Sequence, residues 1–262
     1  MVGAQDFTAI FNGKNLSGWQ AEYKKVDVRD GVIQLGSGNG WLRTERVLTD
    51  FVVKLDVRVK DRKTSAGLFV RAWPAFSDTR TPINGYQLRL LAEEDASALD
   101  EWKRVEVECV ASTVRIRING TTVFTSDAIR VGQGHLALWS KGGTGQFRNI
   151  DIKEMPPALD DAVGIFKVGN GVSSPRVIRD PKPRYTAEAI RERVKGTVQL
   201  SGIVLPDGTV TDIVVQRSLD VKYGLDYQAI STVTQWRFEP GTLNGMPVPV
   251  RILIELAFNP GP

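Results

Sequence analysis

The chain of 262 residues is poor in the residues on which much enzyme chemistry depends, since it has one cysteine and one histidine. A single cysteine cannot form an internal disulfide, and the two residues are too few for a zinc site of the His/Cys type. A Ser-His-Asp triad would have to use His135, the only histidine. We therefore predict no cofactor and no metal, with an all-oxygen calcium site left open.

Long apolar runs and clusters of like charge are also missing. No stretch approaches the roughly 18–20 apolar residues that cross a bilayer, so we predict no membrane span in this sequence. Residues 1–6 lack the basic and apolar regions of a signal peptide. The 34 Lys and Arg and 30 Asp and Glu are interspersed, whereas nucleic-acid binders usually carry a basic stripe, so no nucleic-acid partner is expected.

The first 154 residues show the period-2 alternation of half-buried strands, most clearly over 51–59 and 105–109. Asn119-Gly120 lies between two such runs and predicts a hairpin, because both residues tolerate a positive φ. Many short strands with glycine-rich turns predict an all-β sandwich or barrel over residues 1–154. Three side chains are interpreted as interior: Trp19, Trp102 and Cys109.

A proline-containing stretch, residues 155–162, is interpreted as a linker to a second domain, residues 163–262. Thr186 is predicted to cap a helix that runs to Val194. The elements that follow predict a small α+β domain, with two helices on an antiparallel sheet. They are strands over 197–205 and 209–216, a helix over Asp226–Trp236 and a strand over Val250–Phe258.

Alternation also predicts a ligand-binding surface on the sandwich. The apolar positions from Leu68 to Ala72 belong in the core, which assigns Arg71 and Trp73 to the opposite, concave face. Aromatic rings beside arginine and amide donors suit a polyhydroxylated ligand, because rings stack on C–H groups and donors fix hydroxyls. The predicted sugar-binding residues are Arg71, Trp73, Tyr86, Gln87, Arg89 and Trp139, with His135 as the candidate catalytic residue.

Two of these assignments have structural alternatives. Arg71 could instead form an ion pair with a carboxylate of a neighbouring strand. His135 opens a strand after Gly134, where a hydrogen-bonded structural role competes with catalysis.

The C-terminal part resembles the C-terminal domain of TonB-type energy transducers, on motifs in the same order. They are Pro183-Arg-Tyr185, Gly196-Thr-Val198, Val204-Leu-Pro-Asp-Gly208-Thr-Val210, Gly224-Leu-Asp226, Trp236-Arg-Phe-Glu-Pro240 and Asn244-Gly-Met-Pro-Val248. The resemblance implies that the domain captures an extended peptide of an outer-membrane receptor by strand addition. The candidate edge strand carries Val250, Ile252, Ile254 and Leu256. An ordinary covered edge strand is the alternative.

The N-terminal part resembles the 3-keto-disaccharide hydrolase-like family, which has a concanavalin-like jelly-roll sandwich. The motifs on which this resemblance depends include Phe11-Asn-Gly-Lys-Asn-Leu-Ser-Gly-Trp19, Gly67-Leu-Phe-Val-Arg71, Gly85-Tyr-Gln87 and Gln146-Phe-Arg-Asn-Ile150. The resemblance implies activity on 3-keto-glycosides. Gln87, Arg89 and Ala92 replace polar residues usual in the family, and an amide cannot abstract a proton. Those replacements count against hydrolysis.

These patterns lead to one hypothesis and two alternatives. The first is an exported protein, periplasmic or secreted through a leader outside this sequence, that recognises a carbohydrate through the sandwich and an envelope partner through the TonB-like domain. The second is an active glycoside hydrolase for 3-keto-glycosides, with His135 or a carboxylate such as Asp56, Asp100 or Glu101 as the base. The third is an envelope interaction protein without sugar chemistry.

Overall fold

The structure is a computed structural model that describes residues 6–22, 25–36, 40–74, 85–91, 99–127, 129–156 and 164–259. The chain divides into two compact units, and each is described by itself. The first comprises Met1–Ala128 and Gly134–Pro156, and the second comprises Ile129–Gln133 and Pro157–Pro262. The second unit thus takes a short segment, 129–133, which the sequence pattern assigns to the first domain. Most of the predicted linker, from residue 157 onward, lies outside the described residues.

The first unit contains two antiparallel sheets. The larger has eight strands, with β1 paired beside β13 and the others in the order β11-β10-β9-β6-β13-β4-β3. Its strands are β1 (Thr8–Ala9), β3 (Val26–Arg29), β4 (Val32–Leu35), β6 (Phe51–Val59), β9 (Lys103–Val110), β10 (Thr113–Ile118), β11 (Thr121–Ser126) and β13 (Gly145–Glu154). The smaller has five strands in the order β2-β5-β12-β7-β8. They are β2 (Trp19–Glu22), β5 (Trp41–Thr44), β7 (Ser65–Ala72), β8 (Tyr86–Leu91) and β12 (His135–Lys141).

The core of the sandwich follows the predicted alternation. In β6 the odd-numbered residues from Phe51 to Val59 are buried, and the residues between them are half-buried except for Asp56, which is buried. Trp19 is buried as predicted, and its indole N–H donates to the Ile10 carbonyl at 2.7 Å. Cys109 is also buried, and burial raises the pKa of its thiol to about 11, so it stays a neutral thiol at physiological pH. The all-β sandwich prediction is confirmed.

The predicted hairpin is confirmed at Asn119-Gly120, where φ is 49° and 85° and the flanking strands β10 and β11 pair antiparallel. Both residues occupy the left-handed region, where Asn and Gly are tolerated best. Trp102 differs from its predicted place in the core. It is half-buried, with the Arg58 and Arg148 guanidinium groups 4.4 and 4.1 Å from its ring centroid.

The second unit has a four-stranded sheet in the order β14-β21-β16-β17 and two short ladders, β15-β18 and β19-β20. Its strands are β14 (Phe166–Lys167), β15 (Arg176–Arg179), β16 (Gly196–Val204), β17 (Val210–Arg217), β18 (Arg237–Glu239), β19 (Thr242–Leu243), β20 (Met246–Pro247) and β21 (Val250–Phe258). The predicted final strand is confirmed with the same bounds. The two strands predicted before it agree to within about one residue.

The two helices are α1 (Ala187–Arg191) and α2 (Leu225–Val233). Thr186 caps α1 as predicted, because its hydroxyl accepts a hydrogen bond from the Ala189 amide at 3.1 Å. Both helices end earlier than their patterns predict. Trp236 lies beyond α2, and its indole N–H donates to the Pro181 carbonyl at 3.2 Å. In the described ranges, neither helix is long and apolar enough to cross a membrane.

Candidate functional site

The outer face of the five-stranded sheet collects aromatic side chains from three strands. Directly paired residues share a face, and Trp139 of β12 pairs with Trp41 of β5 and Gly67 of β7. Ala137, two residues earlier, pairs with Phe69, while Leu68 and Leu138 turn towards the core. One cluster results, which we call the aromatic face, and its members are Trp41, Phe69, Ala72, Ala137 and Trp139.

The aromatic face is tightly packed around Phe69. Its ring centroid lies 6.2 Å from that of Trp41 and 6.1 Å from that of Trp139, within the range of favourable ring contacts. Gly67 leaves room for the Trp139 indole, because a Cβ there would come within 2.9 Å of Nε1 and 2.0 Å of the Leu88 carbonyl oxygen. The indole N–H reaches the Leu68 and Leu88 carbonyls at 3.2 and 3.3 Å. These rings form a rigid floor that is itself at most 8% exposed, so solvent reaches the polar side chains beside the rings and hardly reaches the rings.

Polar side chains from the flanking strands lie on the same outer face. On one flank, Arg43 pairs in register with Gln20, and its Nε donates to Glu22 at 2.9 Å. On the other flank, Gln87 pairs with Phe69 and Arg89 pairs with Gly67, and both polar side chains are exposed. We call these five residues the polar rim: Gln20, Glu22, Arg43, Gln87 and Arg89. Amide, guanidinium and carboxylate groups beside an aromatic floor can bind hydroxyl groups.

Glu22 is the sole Asp or Glu in β2, β5, β7, β8 and β12. The carboxylates predicted from the sequence as possible bases do not lie in the strands of this sheet. Asp56 belongs to the eight-stranded sheet, Asp100 contacts Arg58, and Glu101 contacts Lys103. Only Glu22 could therefore act as a carboxylate base from a strand of this sheet.

His135 pairs with Ala72 and lies beside Trp73, with ring centroids 5.6 Å apart. It is 3% exposed. Burial, followed by the nearby Arg43 charge, lowers the pKa of His135 to about 4. Nδ1 lies 3.3 Å from the Arg46 carbonyl, which can only accept, so the neutral ring donates there. This burial favours the structural, hydrogen-bonded role of His135 over direct contact with a substrate.

Arg71 does not lie on the outer face. Two residues of β7, Val70 and Arg71, lie opposite the single residue Leu136 of β12, so a β-bulge interrupts the alternation, and φ at Arg71 is 52°. The side chain is 1% exposed and donates to Asp50 at 2.7 Å and to the Ala111 carbonyl at 2.5 Å. The ion-pair alternative is therefore the one observed.

Tyr86 also turns away from the aromatic face. It pairs in register with Val70, a fully buried core residue, so the two side chains share the inner side of the sheet. The Tyr86 hydroxyl lies 3.0 Å from the Ser126 hydroxyl at the end of β11. Of the predicted sugar-binding residues, those that the structure groups around the aromatic face are Trp73, Gln87, Arg89 and Trp139. Trp73 and Trp139 are at most 5% exposed, whereas Gln87 and Arg89 are exposed.

Four residues of the outer face escape prediction from the sequence: Gln20, Glu22, Trp41 and Arg43. They lie in β2 and β5, strands of four residues that show no clear alternation. Their assignment depends on pairing with β12, which lies almost a hundred residues further along the chain. The one local signal is the Trp-x-Arg spacing of 41–43, which places both side chains on one side of a strand.

The outer face of the eight-stranded sheet has a different chemistry, with ion pairs in place of an aromatic floor. Glu106 contacts Lys54 at 3.3 Å and Arg117 at 2.5 Å, and Arg104 contacts Asp56 at 3.0 Å. A cavity of about 300 Å³ lies among these groups, lined by Lys54, Arg104, Glu106, Arg117 and Gly120. We call the side chains of these ion pairs the charged face; they are Lys54, Asp56, Arg104, Glu106 and Arg117.

The sheet of the second unit leaves most of one edge unpaired. On one side, Val131 bridges Ile213, so residues 129–133 run along β17. On the other side, β14 pairs with β21 only at Val250 and Arg251. Among the described residues, no strand pairs with this side of β21 between Ile252 and Phe258.

The side chains predicted for this edge belong largely to the core. Val250, Ile254 and Leu256 are at most 5% exposed, and Ile252 is half-buried. The residues between them are exposed or half-buried, and Leu253 is 67% exposed. An added strand would therefore hydrogen-bond to the β21 backbone and contact side chains such as Leu253.

Within the described ranges, no three His, Cys, Asp or Glu side chains converge as a metal site would require. The two units define a class of protein by their folds: a two-sheet β-sandwich joined to a small α+β domain with an open strand edge. The family model for the 3-keto-alpha-glucoside-1,2-lyase-like domain matches residues 6–99 and 92–153, more than half of the chain. The chain belongs to this family. The model for the Gram-negative bacterial TonB protein C-terminal matches residues 181–260.

Similar solved structures cover the sandwich. A candidate glycosyl hydrolase from Parabacteroides distasonis has 17% identity and a TM-score of 0.51, covering 57% of this chain and 94% of that one. The carbohydrate-binding module CBM66 from Bacillus subtilis has 16% identity and a TM-score of 0.45, covering 53% of this chain and 98% of that one. No curated protein matches the chain. At these identities the first likeness supports the fold alone.

Proposed function

We propose that the protein recognises a carbohydrate at the aromatic face and polar rim of its sandwich, and an extended peptide of an envelope partner at the edge of β21. The observation that carries the first part is the convergence of four strands on one face, where exposed Gln87 and Arg89 lie beside three aromatic rings that are at most 8% exposed and hold that face rigid. Family membership supports a sugar as the ligand class. The TonB match supports an envelope, periplasmic location.

Arg89 and Gln87 are the first residues to contact ligand in this proposal. Both are exposed and follow each other on one side of β8, so their donors extend beyond the buried rings. Arg43 and Glu22 are held by their mutual ion pair, with side chains 18% and 19% exposed. A fixed arrangement of donors loses little conformational entropy when it binds hydroxyl groups.

Calorimetric titration with a panel of glucosides and 3-keto-glucosides tests the sugar proposal. We expect saturable binding that weakens when Arg89 is replaced by Ala, with the far-UV circular dichroism spectrum unchanged. No binding to any member of the panel would refute it.

A hydrolase is the second candidate function, and the position of Glu22 favours it. A 3-keto group acidifies the neighbouring C–H, so a base can remove that proton. The glycosidic bond then breaks by elimination, the departing oxygen takes up a proton and leaves as the alcohol, and water adds to the double bond. Glu22 is the carboxylate on the outer face, although its pairing with Arg43 competes for this role. Release of 3-keto-glucose that disappears in Glu22→Gln and persists in His135→Gln would support it. No release by the wild-type protein would exclude it for the substrates tested.

The peptide proposal depends on the open edge of β21. The Phe166 amide donates to the Pro249 carbonyl, so the backbone groups of odd-numbered residues point to this edge. Leu253→Pro therefore removes an outward N–H and keeps the even-numbered bonds to β16. We expect Leu253→Pro to abolish binding of an extended receptor-type peptide, whereas Leu253→Ala, which retains the N–H, reduces it less. Equal binding by both variants would contradict strand addition here.

A further inference from the structure

The second unit separates its charges along the chain. Residues 176–195, which we call the basic segment, hold seven Lys and Arg and three Asp and Glu, a net charge of +4. The rest of residues 156–262 holds five basic and eight acidic residues, a net charge of −3. The near-neutral total charge of this half therefore conceals a basic segment and an acidic remainder.

All seven basic side chains of the segment are exposed. Three of them contact carboxylates, in the pairs Arg176–Glu239, Lys182–Asp180 and Arg191–Glu188. In the described chain, no carboxylate lies within ion-pair distance of the other four, which are Arg179, Arg184, Arg193 and Lys195. Arg179 also faces Arg237 across the β15–β18 ladder, so like charges are adjacent there.

The basic segment is anchored to its unit. The Trp236 indole donates to the Pro181 carbonyl at 3.2 Å, and the Thr186 hydroxyl donates to the Tyr223 carbonyl at 2.6 Å. Thr186 and Ala189, within the segment, are buried. The charges are therefore displayed on a preformed segment, and binding need not order it first.

Aliphatic side chains protrude between the charges. Ile178 is 68% exposed, Ile190 is 53% exposed and Val177 is 44% exposed. Phosphate headgroups attract the cations, and exposed aliphatic groups can insert at the boundary with the acyl chains. A nucleic acid would be expected to stack on aromatic rings, but the one aromatic residue of the segment, Tyr185, packs against Phe258 with ring centroids 5.4 Å apart.

We propose that the basic segment binds the surface of a membrane that contains anionic phospholipid. The four unpaired cations supply the attraction, and Ile178 and Ile190 supply apolar insertion. The segment shares no residue with β21 or with the sugar-binding face proposed for the sandwich.

Co-sedimentation of the full chain with lipid vesicles tests the proposal. Vesicles of phosphatidylcholine alone are compared with vesicles of phosphatidylcholine and phosphatidylglycerol, at low and high salt. We expect binding only to the anionic vesicles and a marked loss at high salt, because salt screens the attraction. Equal binding to both kinds of vesicle, or none to either, would overturn the proposal.

A matched pair of variants localises the binding. Removing four charges of the segment is expected to weaken vesicle binding by about two to three orders of magnitude. A control variant removes four exposed charges of the sandwich and is expected to bind nearly as the wild type does. The proposal would be overturned if both variants lost vesicle binding equally. It would also be overturned if the segment bound soluble polyglutamate while the protein bound no vesicles. The test set, each changed to Gln, is Arg179, Arg184, Arg193 and Lys195; the control set is Lys14, Lys60, Arg62 and Lys141.

The contribution of the aliphatic side chains to vesicle binding is tested separately. Ile178→Ser with Ile190→Ser keeps every charge, and the residual binding at high salt is expected to fall more than the binding at low salt. If the salt dependence of vesicle binding were unchanged in this variant, the aliphatic side chains would not insert into the membrane.

Discussion

The two sheets of the sandwich each turn one face towards the shared core and one face away from it. On the five-stranded sheet the outward positions hold Trp41, Phe69 and Trp139 beside a polar rim. On the eight-stranded sheet they hold ion pairs such as Lys54–Glu106 and Arg104–Asp56. Strand alternation produces both faces, so alternation locates a surface, and the chemistry of the outward residues separates a candidate binding face from a solvated one.

The difference extends to how each sheet uses charge. The bulged strand β7 sends Arg71 into the interior, where it meets Asp50 with almost no exposure to water. The ion pairs of the charged face are about a third exposed. Burial strengthens an ion pair and makes its disruption costly, because the remaining charge has no water to replace its partner. Substitutions in the two places should therefore differ strongly in their effect on stability.

The largest effect is expected for Asp50→Asn. This change leaves the buried Arg71 guanidinium without its carboxylate and should reduce the free energy of unfolding by about 3–5 kcal/mol. Urea denaturation followed by circular dichroism measures it. The double variant Arg71→Met with Asp50→Leu, which removes both charges, should recover part of the loss. If Asp50→Asn reduced the free energy of unfolding by less than about 1 kcal/mol, the Arg71–Asp50 pair would be no stronger than an ordinary surface ion pair.

A smaller effect is expected from His135 as the pH falls. Its pKa is lowered to about 4 in the folded protein, so the unfolded chain, with an ordinary pKa near 6.5, binds a proton first. The stability contributed by neutral His135 is complete above about pH 6.5 and is lost as the pH falls towards 4, for a total of about 3 kcal/mol.

The free energy of unfolding, measured by urea titration at several pH values, tests this expectation. His135→Gln is the control, because it removes the titrating ring and retains the carboxylates. We expect a shallower dependence on pH in the variant between pH 6.5 and 4. Parallel curves for the two proteins would show that His135 is not the buried neutral group described here.

The smallest effect is expected on the charged face. Glu106→Gln breaks the contacts to Lys54 and Arg117, but these groups are partly hydrated, so the loss should be at most about 1 kcal/mol. It should shrink further at high salt. A loss comparable to that of Asp50→Asn would mean that the charged face is a structural network and would erase the contrast between the two sheets.

Local signals in the sequence predict much of this fold. Asn119-Gly120 predicts its hairpin because both residues accept positive φ, and Thr186 predicts its cap because a hydroxyl can satisfy a free amide at a helix start. The final strand is bounded correctly because its alternation is regular. Each of these signals lies within a few residues of the feature that it predicts.

The candidate site is harder to predict because its geometry is not local. The assignment of Arg71 from alternation fails at a bulge, and a bulge is visible only when the partner strand β12 is known. The four residues of β5 contain too little pattern to place Trp41 and Arg43 beside Trp139. The polar rim could be assembled only once the strand order of the sheet was known.

The most direct test of the account is a paired titration with the tightest-binding glucoside of the panel, comparing Arg89→Ala on the polar rim with Arg117→Ala on the charged face. Both side chains lie at the surface, so neither change should unfold the sandwich. We expect Arg89→Ala to weaken binding by at least about tenfold, through loss of a charged hydrogen bond to the ligand, and Arg117→Ala to leave binding unchanged. Unchanged binding in Arg89→Ala, or a larger loss in Arg117→Ala, would contradict it.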